Sequence, residues 1–300
     1  MSEPVPAHQL FATTNFSLSG ASGLYDRARP SYPADAISSI LSRLPAASST
    51  GEGALIVELG AGTGLFTRGL LSALSVPGSP YHGRVRKVLA VEPSEGMRVG
   101  FEKGLEREGL RGADGKVAGV EVECVEGTFE KVPVGEGEAD LVVIAQAFHW
   151  IGHDGSRAVD EIARVLKPGA TWAKIWNLED RNTPWVAQLR DTYEKFEKDT
   201  PQYRLGYWRS IWDLPSFPRL FTSPESHDIF TRSLPTTEDL VVDRIFSKSY
   251  ITALSDEERK GVEEKAREIV RRGEGKEWIE AKEGVFAYPY ATDLFMTTRK

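Results

Sequence analysis

The strongest indication of the fold comes from one segment of the sequence, Val57-Glu58-Leu59-Gly60-Ala61-Gly62-Thr63-Gly64. It ends an apolar run over residues 55–59 that predicts a buried strand, and it leads into helical spacing over residues 65–74. Glycines between a strand and a helix permit backbone angles and a close ligand approach that a Cβ atom would block. The stretch therefore predicts a ligand-binding turn between a first strand and a first helix.

The spacing of these glycines argues against a nicotinamide dinucleotide. That site uses G-x-G-x-x-G, so that a pyrophosphate meets the N-terminus of a helix. Counted from Gly60 the third glycine would stand at Leu65, and counted from Gly62 it would stand at Thr67. A nicotinamide-dependent dehydrogenase is therefore only a distant alternative.

Strand and helix patterns alternate after this turn, which is typical of parallel βαβ units. Strand-like patterns return at residues 228–232 and 285–298, with helical text between them. The five strands that precede them are predicted at residues 55–59, 85–91, 119–125, 141–145 and 171–176. We therefore predict an α/β fold, a Rossmann-like seven-stranded mostly parallel sheet with flanking helices and a helical substrate cap.

The composition excludes several classes of protein. The chain has 300 residues, a net charge of −7 and one cysteine, Cys124, so an internal disulfide is excluded. Lysine and arginine are nowhere gathered at the density that a phosphate backbone requires, and no apolar run approaches membrane-spanning length. His8, His82 and His227 are scattered and do not suggest a metal site. We expect a cytoplasmic protein that acts on a small molecule, with no nucleic acid, membrane or metal partner, as a monomer or homodimer.

Several motifs together resemble one enzyme family. The G-x-G-x-G turn after an acidic residue resembles motif I of the class I S-adenosylmethionine-dependent methyltransferases, whose cofactor carries no phosphate. Ala145-Gln146-Ala147-Phe148-His149-Trp150 resembles the A-F-H-W signature of type 11 methyltransferases related to trans-aconitate methyltransferase. Lys167-Pro168-Gly169 and the arm Tyr25-Asp26-Arg27-Ala28-Arg29-Pro30-Ser31-Tyr32-Pro33 are similar to that subgroup as well. The resemblance covers roughly residues 24–178 and is weak afterwards.

This resemblance implies a cofactor, S-adenosyl-L-methionine, and a division of the chain. Glu92 would accept hydrogen bonds from the ribose hydroxyls, and the arm would close over the methionine part. The implied segments are an N-terminal arm and lid helix (1–50), the cofactor-binding core (51–177), a helical aromatic-rich substrate cap (178–225) and a C-terminal completion of the sheet with helices (226–300). The implied cofactor-binding residues are Tyr25, Arg29, Glu58, Gly60, Ala61, Gly62, Thr63, Gly64, Glu92, Pro93, Met97, Thr128, Phe129, Gln146 and Ala147.

One histidine is the candidate for catalysis. His149 follows the fourth predicted strand at its carboxyl end, where open α/β sheets place their ligands. It is a base, a hydrogen-bond donor to the substrate, or a structural histidine. The arginine fork suits a carboxylate, so Arg204 and Arg209 indicate an acidic substrate, with Arg27 and Arg29 as alternatives. The predicted substrate-binding residues are His149, Trp150, Trp176, Tyr203, Arg204, Tyr207, Trp208 and Arg209.

These observations favour an enzyme that methylates a small molecule. By similarity to the trans-aconitate methyltransferase subgroup, the expected reaction is O-methylation of a small organic carboxylic acid by in-line displacement. One alternative is N-, S-, C- or O-methylation of a secondary metabolite such as a phenol, which usually needs a base. Another is a non-catalytic regulatory protein that binds the cofactor.

Overall fold

One mixed sheet organises the molecule. The structure is a computed structural model, and it describes residues 24, 26, 28–46, 53–112, 115–197 and 200–300. The strands of this sheet are β1 (Ala54–Leu59), β2 (Val85–Val91), β3 (Glu121–Val125), β4 (Ala139–Ala145), β5 (Leu166–Glu179), β6 (Ser226–Thr236), β7 (Trp278–Glu280) and β8 (Val285–Thr298).

The strand order is β3-β2-β1-β4-β5-β8-β6, and β7 pairs with β8 outside this path. The first five strands pair in parallel, whereas β8 runs antiparallel to β5, β6 and β7. The order reverses between β1 and β4, which is the topological switch point where open α/β sheets bind ligands.

Helices pack against the sheet. Four short 3₁₀ helices lie at Phe148–Ile151, Tyr203–Leu205, Tyr207–Asp213 and Ala281–Glu283 within the described part of the chain. The α-helices there are α1 (Ala34–Leu41), α2 (Leu65–Ser75), α3 (Glu95–Arg107), α4 (Ser156–Val165), α5 (Pro184–Glu194), α6 (Phe217–Leu220), α7 (Glu238–Phe246), α8 (Ser249–Thr252) and α9 (Asp256–Arg272). None of these described helices is both long and apolar enough to cross a membrane.

Every residue of β1 and β4 is buried, as expected for central parallel strands covered on both faces. Because side chains alternate along a strand, neighbouring residues of β1 enter two different apolar clusters. Ile56 packs with Ile37 and Phe66 of α1 and α2, whereas Val57 packs with Ile162 of α4 and with Trp172. A third cluster joins α5, α7 and α9 to β8.

The predicted α/β class, with a mostly parallel sheet and flanking helices, is confirmed. The sheet has an eighth strand that the sequence did not predict, because β7 is three exposed residues, too short to show a periodic pattern. The fifth strand also continues to Glu179, beyond the predicted end, since β8 pairs with it from Thr171 to Glu179. The following region, predicted as helical, contains α5, two 3₁₀ helices and the short α6.

Candidate active site

A cavity of about 460 Å³ opens at the carboxyl ends of β1, β2, β4 and β5. We call one part of its wall the glycine side, which comprises Glu58, Gly60, Ala61, Gly62, Thr63, Glu92, Pro93, Ser94, Met97, Thr128 and Phe129. A second part of the wall is the ion-pair side, formed by Glu179, Arg190, Tyr193, Glu194, Glu197, Gln202, Tyr203, Arg204, Arg244, Lys248 and Tyr250. His149, Trp150 and Trp176 line the cavity as well.

The glycine turn brings main chain to the cavity wall. Gly62 has a φ of 57°, and a Cβ atom added there would meet no heavy atom within 4 Å, so it would enter open space beside the cavity. A Cβ on Gly60 would lie 2.6 Å from the Cβ of Ala147. Gly64 does not line the cavity, and its Cβ would lie 2.6 Å from the Phe101 ring of α3. Gly60 and Gly64 therefore allow close packing, whereas at Gly62 no side chain covers the main chain of the cavity wall.

Glu92 fixes this turn from the end of β2. Its Oε2 accepts a hydrogen bond from the Gly62 N–H at 2.9 Å, and its Oε1 accepts one from the Ser94 N–H at 2.9 Å. Burial raises the pKa of Glu92, although the two backbone donors oppose that shift. Each carboxylate oxygen keeps a second lone pair, so Glu92 can still accept hydrogen bonds from two ligand hydroxyls.

A second buried carboxyl group lies beneath the turn. Burial raises the pKa of Glu58 to about 8, and the Thr67 hydroxyl donates a hydrogen bond to its Oε2. Glu58 is therefore mainly protonated at neutral pH. A ligand with positive charge would favour its ionised form.

The arm before α1 is tied to both sides of the cavity. The Asp26 carboxylate accepts hydrogen bonds from the Thr63 hydroxyl at 3.1 Å and from Arg68 at 2.5 Å. Arg29 donates to the hydroxyl and the carbonyl of Ser247, both at 3.0 Å, beside the ion-pair side. The two other predicted arm residues, Tyr25 and Arg27, lie outside the described residues.

His149 lines the same cavity. It lies in the 3₁₀ helix after β4, and its Nδ1 is 3.3 Å from the indole Nε1 of Trp176. An indole N–H can only donate, so Nδ1 is the acceptor and the ring proton belongs on Nε2. Burial, with a smaller contribution from Arg29, lowers the pKa of His149 to about 3. The imidazole is therefore neutral, with a protonated Nε2.

The ion-pair side consists of linked charges. Glu179 Oε1 lies 2.9 Å from Arg244 and 3.0 Å from the Lys248 ammonium. Burial opposes ionisation of Glu179, but Arg244, Lys248 and Arg190 outweigh it and hold its pKa well below the usual range. Burial and the nearby Arg244 lower the pKa of Lys248 to about 7.

Sequence reasoning missed most of the ion-pair side. The residues it missed come from β5, from α5 and the loop after it, and from α7 and α8. They are Glu179, Arg190, Tyr193, Glu194, Glu197, Gln202, Arg244, Lys248 and Tyr250. No motif marks them: the pairs of Glu179 with Arg244 and Lys248 join elements that are far apart in the chain, and the local pair of Arg190 with Glu194 resembles an ordinary surface pair on a helix.

Most of the predicted site residues gather at one cavity. Within the described chain, those that line it are Arg29, Glu58, Gly60, Ala61, Gly62, Thr63, Glu92, Pro93, Met97, Thr128, Phe129, Gln146, Ala147, His149, Trp150, Trp176, Tyr203 and Arg204. Arg204 is already paired there, with Glu194 at 3.4 Å and Glu197 at 2.5 Å.

Three predicted substrate-binding residues lie outside the cavity. Tyr207 packs on the His153 ring at a centroid distance of 3.9 Å. Trp208 is fully buried against Trp176, with 4.7 Å between ring centroids, and the Arg209 guanidinium lies 4.8 Å from the Trp208 ring. The structure gives Tyr207, Trp208 and Arg209 packing contacts, so they are not carried into the proposed substrate site.

The fold and the site together define a class of protein. A Rossmann-like sheet with an antiparallel β8, a glycine turn at the switch point and an acidic residue after β2 are the features expected of a methyltransferase with a nucleoside cofactor.

Comparisons with known proteins agree with this class. The sequence model of a family described as "Methyltransferase domain" matches residues 57–173. An uncharacterized methyltransferase of Mycobacterium tuberculosis is 31% identical over 236 residues, which cover 79% of this chain and 78% of that protein. An uncharacterized methyltransferase-like protein of Schizosaccharomyces pombe is 26% identical, over 82% of this chain and 83% of its own.

A solved structure shares the fold. The putative type II methyltransferase of Anaeromyxobacter dehalogenans superposes with a TM-score of 0.56 at 21% identity, over 89% of this chain and 97% of that chain. This chain belongs to the class I S-adenosylmethionine-dependent methyltransferases. It is an enzyme whose cofactor is S-adenosylmethionine.

The glycine side fits that cofactor. Gly62 leaves space for a ligand against the main chain, and Glu92 retains acceptor capacity for two ribose hydroxyls. S-adenosylmethionine carries an ammonium and a sulfonium, and two buried carboxyl groups, Glu58 and Glu92, line this side. Such a ligand would favour the ionised forms of these two groups, which would then balance its positive charge.

Proposed function

We propose that this enzyme transfers a methyl group to the carboxylate of a small organic acid. The observation that carries the proposal is the state of His149, a half-buried neutral ring that lines the cavity and whose Nδ1 accepts a hydrogen bond from Trp176. Such a ring donates a hydrogen bond through Nε2 and is a poor base, so the site suits an acceptor that needs no proton removed. A carboxylate, with an ordinary pKa near 4, is already ionised at neutral pH.

The cofactor would lie on the glycine side. Gly60, Ala61, Gly62 and Thr63 would contact it through the main chain, and Glu92 would bind the ribose. The other proposed contacts are Tyr25, Arg29, Glu58, Gly64, Pro93, Met97, Thr128, Phe129, Gln146 and Ala147, of which Gly64 would act only by shaping the turn. When bound, S-adenosylmethionine supplies a methyl group on a sulfonium, which is already an activated electrophile.

The chain's own task is then alignment. His149, Trp150, Trp176 and Tyr203 would hold the acceptor so that its oxygen approaches the methyl carbon opposite the sulfur. Holding two reactants in this way can supply about 7–11 kcal/mol of the barrier. The neutral His149 would donate a hydrogen bond to the acceptor without taking a proton.

The A-F-H-W signature and its similarity to the trans-aconitate methyltransferase subgroup also support an organic acid. The choice of an acid therefore rests on this similarity and on the neutral ring of His149. We place the enzyme in the cytoplasm as part of the same proposal.

A labelling assay tests the proposal. The enzyme is incubated with methyl-labelled S-adenosylmethionine and the small-molecule fraction of an extract of the organism's own cells. A methyl ester releases its label as volatile methanol in mild alkali, whereas a phenyl ether or a methylamine keeps it. Label released by alkali supports the proposal, and label that resists alkali contradicts it.

His149→Ala gives a second test on the same extract. For a carboxylate acceptor, we expect turnover to fall by no more than about tenfold, since one hydrogen bond is lost. For a phenol that relied on His149 as base, turnover would fall by about 10²–10⁴-fold. A fall of that size would favour the phenol alternative.

A further inference from the structure

When Lys248 is protonated, the ion-pair side has more positive than negative charge. Its acids are Glu179, Glu194 and Glu197, and its cations are Arg190, Arg204, Arg244 and Lys248. Arg181, which does not line the cavity, pairs with Glu194 as well. A buried wall with surplus positive charge favours an anion in the cavity.

The arginines are held by defined partners. Arg190 donates to Glu194 at 2.6 Å and to the Glu179 carbonyl at 2.7 Å. Arg204 pairs with Glu194 and Glu197. Arg244 and Lys248 share a single oxygen, Glu179 Oε1. One carboxylate therefore serves two cations at this point, and the surplus charge lies there.

Lys248 has unused donors. Its ammonium carries three N–H groups, and among the described residues it donates one hydrogen bond, to Glu179 at 3.0 Å. Lys248 is 7% exposed, so bulk water is largely excluded from it. A buried ammonium with free donors is costly unless a ligand accepts from them.

A neighbouring hydroxyl is also without a partner. The Lys248 ammonium lies 4.4 Å from the centre of the Tyr193 ring. Tyr193 is 1% exposed and lines the cavity, and its Oη makes no hydrogen bond within the described chain. Burial raises the pKa of Tyr193 well above its usual value, so this hydroxyl remains protonated and can donate.

We infer that Lys248 and Tyr193 bind an anionic group of the methyl acceptor. The ammonium and the phenol hydroxyl supply donors for the oxygens of one anion in the cavity. The inference rests on the proposed function only in that the acceptor occupies this cavity, and it holds whichever acceptor atom is methylated.

The experiment uses the full chain, methyl-labelled S-adenosylmethionine and serial dilutions of the same cell extract. The measured quantity is the extract concentration that half-saturates label transfer. Tyr193→Phe removes only a hydroxyl with no partner, so the fold is preserved. Tyr288→Phe is its matched control, because the Tyr288 hydroxyl is also buried and unpartnered among the described residues but lies outside the cavity.

Lys248→Met removes the charge, and Lys195→Met, at an exposed lysine, is its control. We expect the half-saturating concentration to rise about tenfold in Tyr193→Phe and more in Lys248→Met, with the affinity for S-adenosylhomocysteine unchanged. Lys248→Arg, which keeps the charge, should recover part of the loss. Passing the extract over an anion-exchange resin should remove the substrate.

The outcomes separate the two proposals. Unchanged half-saturation in both Tyr193→Phe and Lys248→Met would overturn the inference while ester formation could still stand. A substrate that passes the resin carries no net negative charge and would overturn both proposals. A base-stable product with raised half-saturation would overturn the proposed function and leave the inference intact. No labelled product from the unmodified chain would overturn both.

Discussion

The two sides of the cavity bind by different means. The glycine side presents main chain at Gly62 and two buried carboxyl groups whose pKa values burial raises. The ion-pair side presents side chains alone, with arginines and a lysine in excess over glutamates. One wall leaves space for a cationic ligand beside the main chain, and the other presents the charged side chains to which we assign the binding of an anion.

The largest loss of cofactor affinity is expected for a substitution at Gly62. Valine there would place a branched side chain at a φ of 57° and fill the space beside the cavity, so we expect affinity for S-adenosylhomocysteine to fall at least about a hundredfold, equivalent to about 2.8 kcal/mol. Gly83→Val is the control, since Gly83 has a φ of 72°, open surroundings and no place in the cavity wall. Calorimetry and thermal unfolding of both variants check this. Equal affinity in the two variants would refute the placement of the ligand on the turn.

Glu92 tests whether the glycine side also uses side chains. Glu92→Ala removes an acceptor that orders the turn through the Gly62 N–H, so we expect cofactor binding to weaken by about 1.5–3 kcal/mol. Glu92→Gln should lose less, because the amide oxygen can replace one acceptor. Titration with S-adenosylhomocysteine measures both, and an unaffected Glu92→Ala variant would show that Glu92 is only a helix-start residue.

Asp26 joins the arm to the glycine side of the cavity. Asp26→Asn weakens the contacts with Arg68 and Arg107 and that with Thr63, and we expect S-adenosylhomocysteine to dissociate about tenfold faster. Asp35→Asn, in the exposed first turn of α1, is the control. Stopped-flow displacement measures the rates. If the two variants release ligand equally fast, the arm does not retain the cofactor.

The two sides should also respond to pH in opposite senses. The pKa of Glu58 is raised from 4.5 to about 8, so the native state holds a proton that the unfolded state has lost, and stability falls as pH rises through that window. The pKa of Lys248 is lowered from 10.5 to about 7, so its cost in the native state is relieved as pH rises from about 7 to 10.5.

Urea unfolding across this pH range measures the effect in two variants. Relative to the unmodified chain, Glu58→Gln should lose the fall in stability between about pH 4.5 and 8, and Lys248→Met should lose the rise above about pH 7. The other charged or titratable groups around Lys248 are Glu179, Glu197, Arg244, Arg29 and Tyr193, and they remain in both variants. Parallel profiles for the two variants would contradict the assignment of opposite shifts.

The sequence predicted the glycine side well because its parts lie next to strand ends. Gly62, Glu92 and Gln146 each follow a parallel strand, and such ends meet at one edge of the sheet. The ion-pair side could not be predicted, because no periodic pattern in the sequence indicates that Arg244 of α7 and Lys248 after that helix pair with Glu179 at the end of β5. The aromatic cap misled in part, because helical spacing does not distinguish a pocket from packing, and Trp208 is buried.

A substitution of Trp176 should change acceptor binding less than the substitutions above change cofactor binding. Trp176→Phe keeps an aromatic ring but removes the N–H that Nδ1 of His149 accepts, so the imidazole is free to move its proton to Nδ1. If His149 acts as a fixed donor, half-saturation by the acceptor should rise about threefold, within the range of one neutral hydrogen bond, while cofactor affinity stays the same. Ring-nitrogen NMR of the labelled histidine reports the tautomer directly. A tautomer that is unchanged in the variant would show that His149 owes its proton position to another group, and the case for a base-free acceptor would then rest on burial alone.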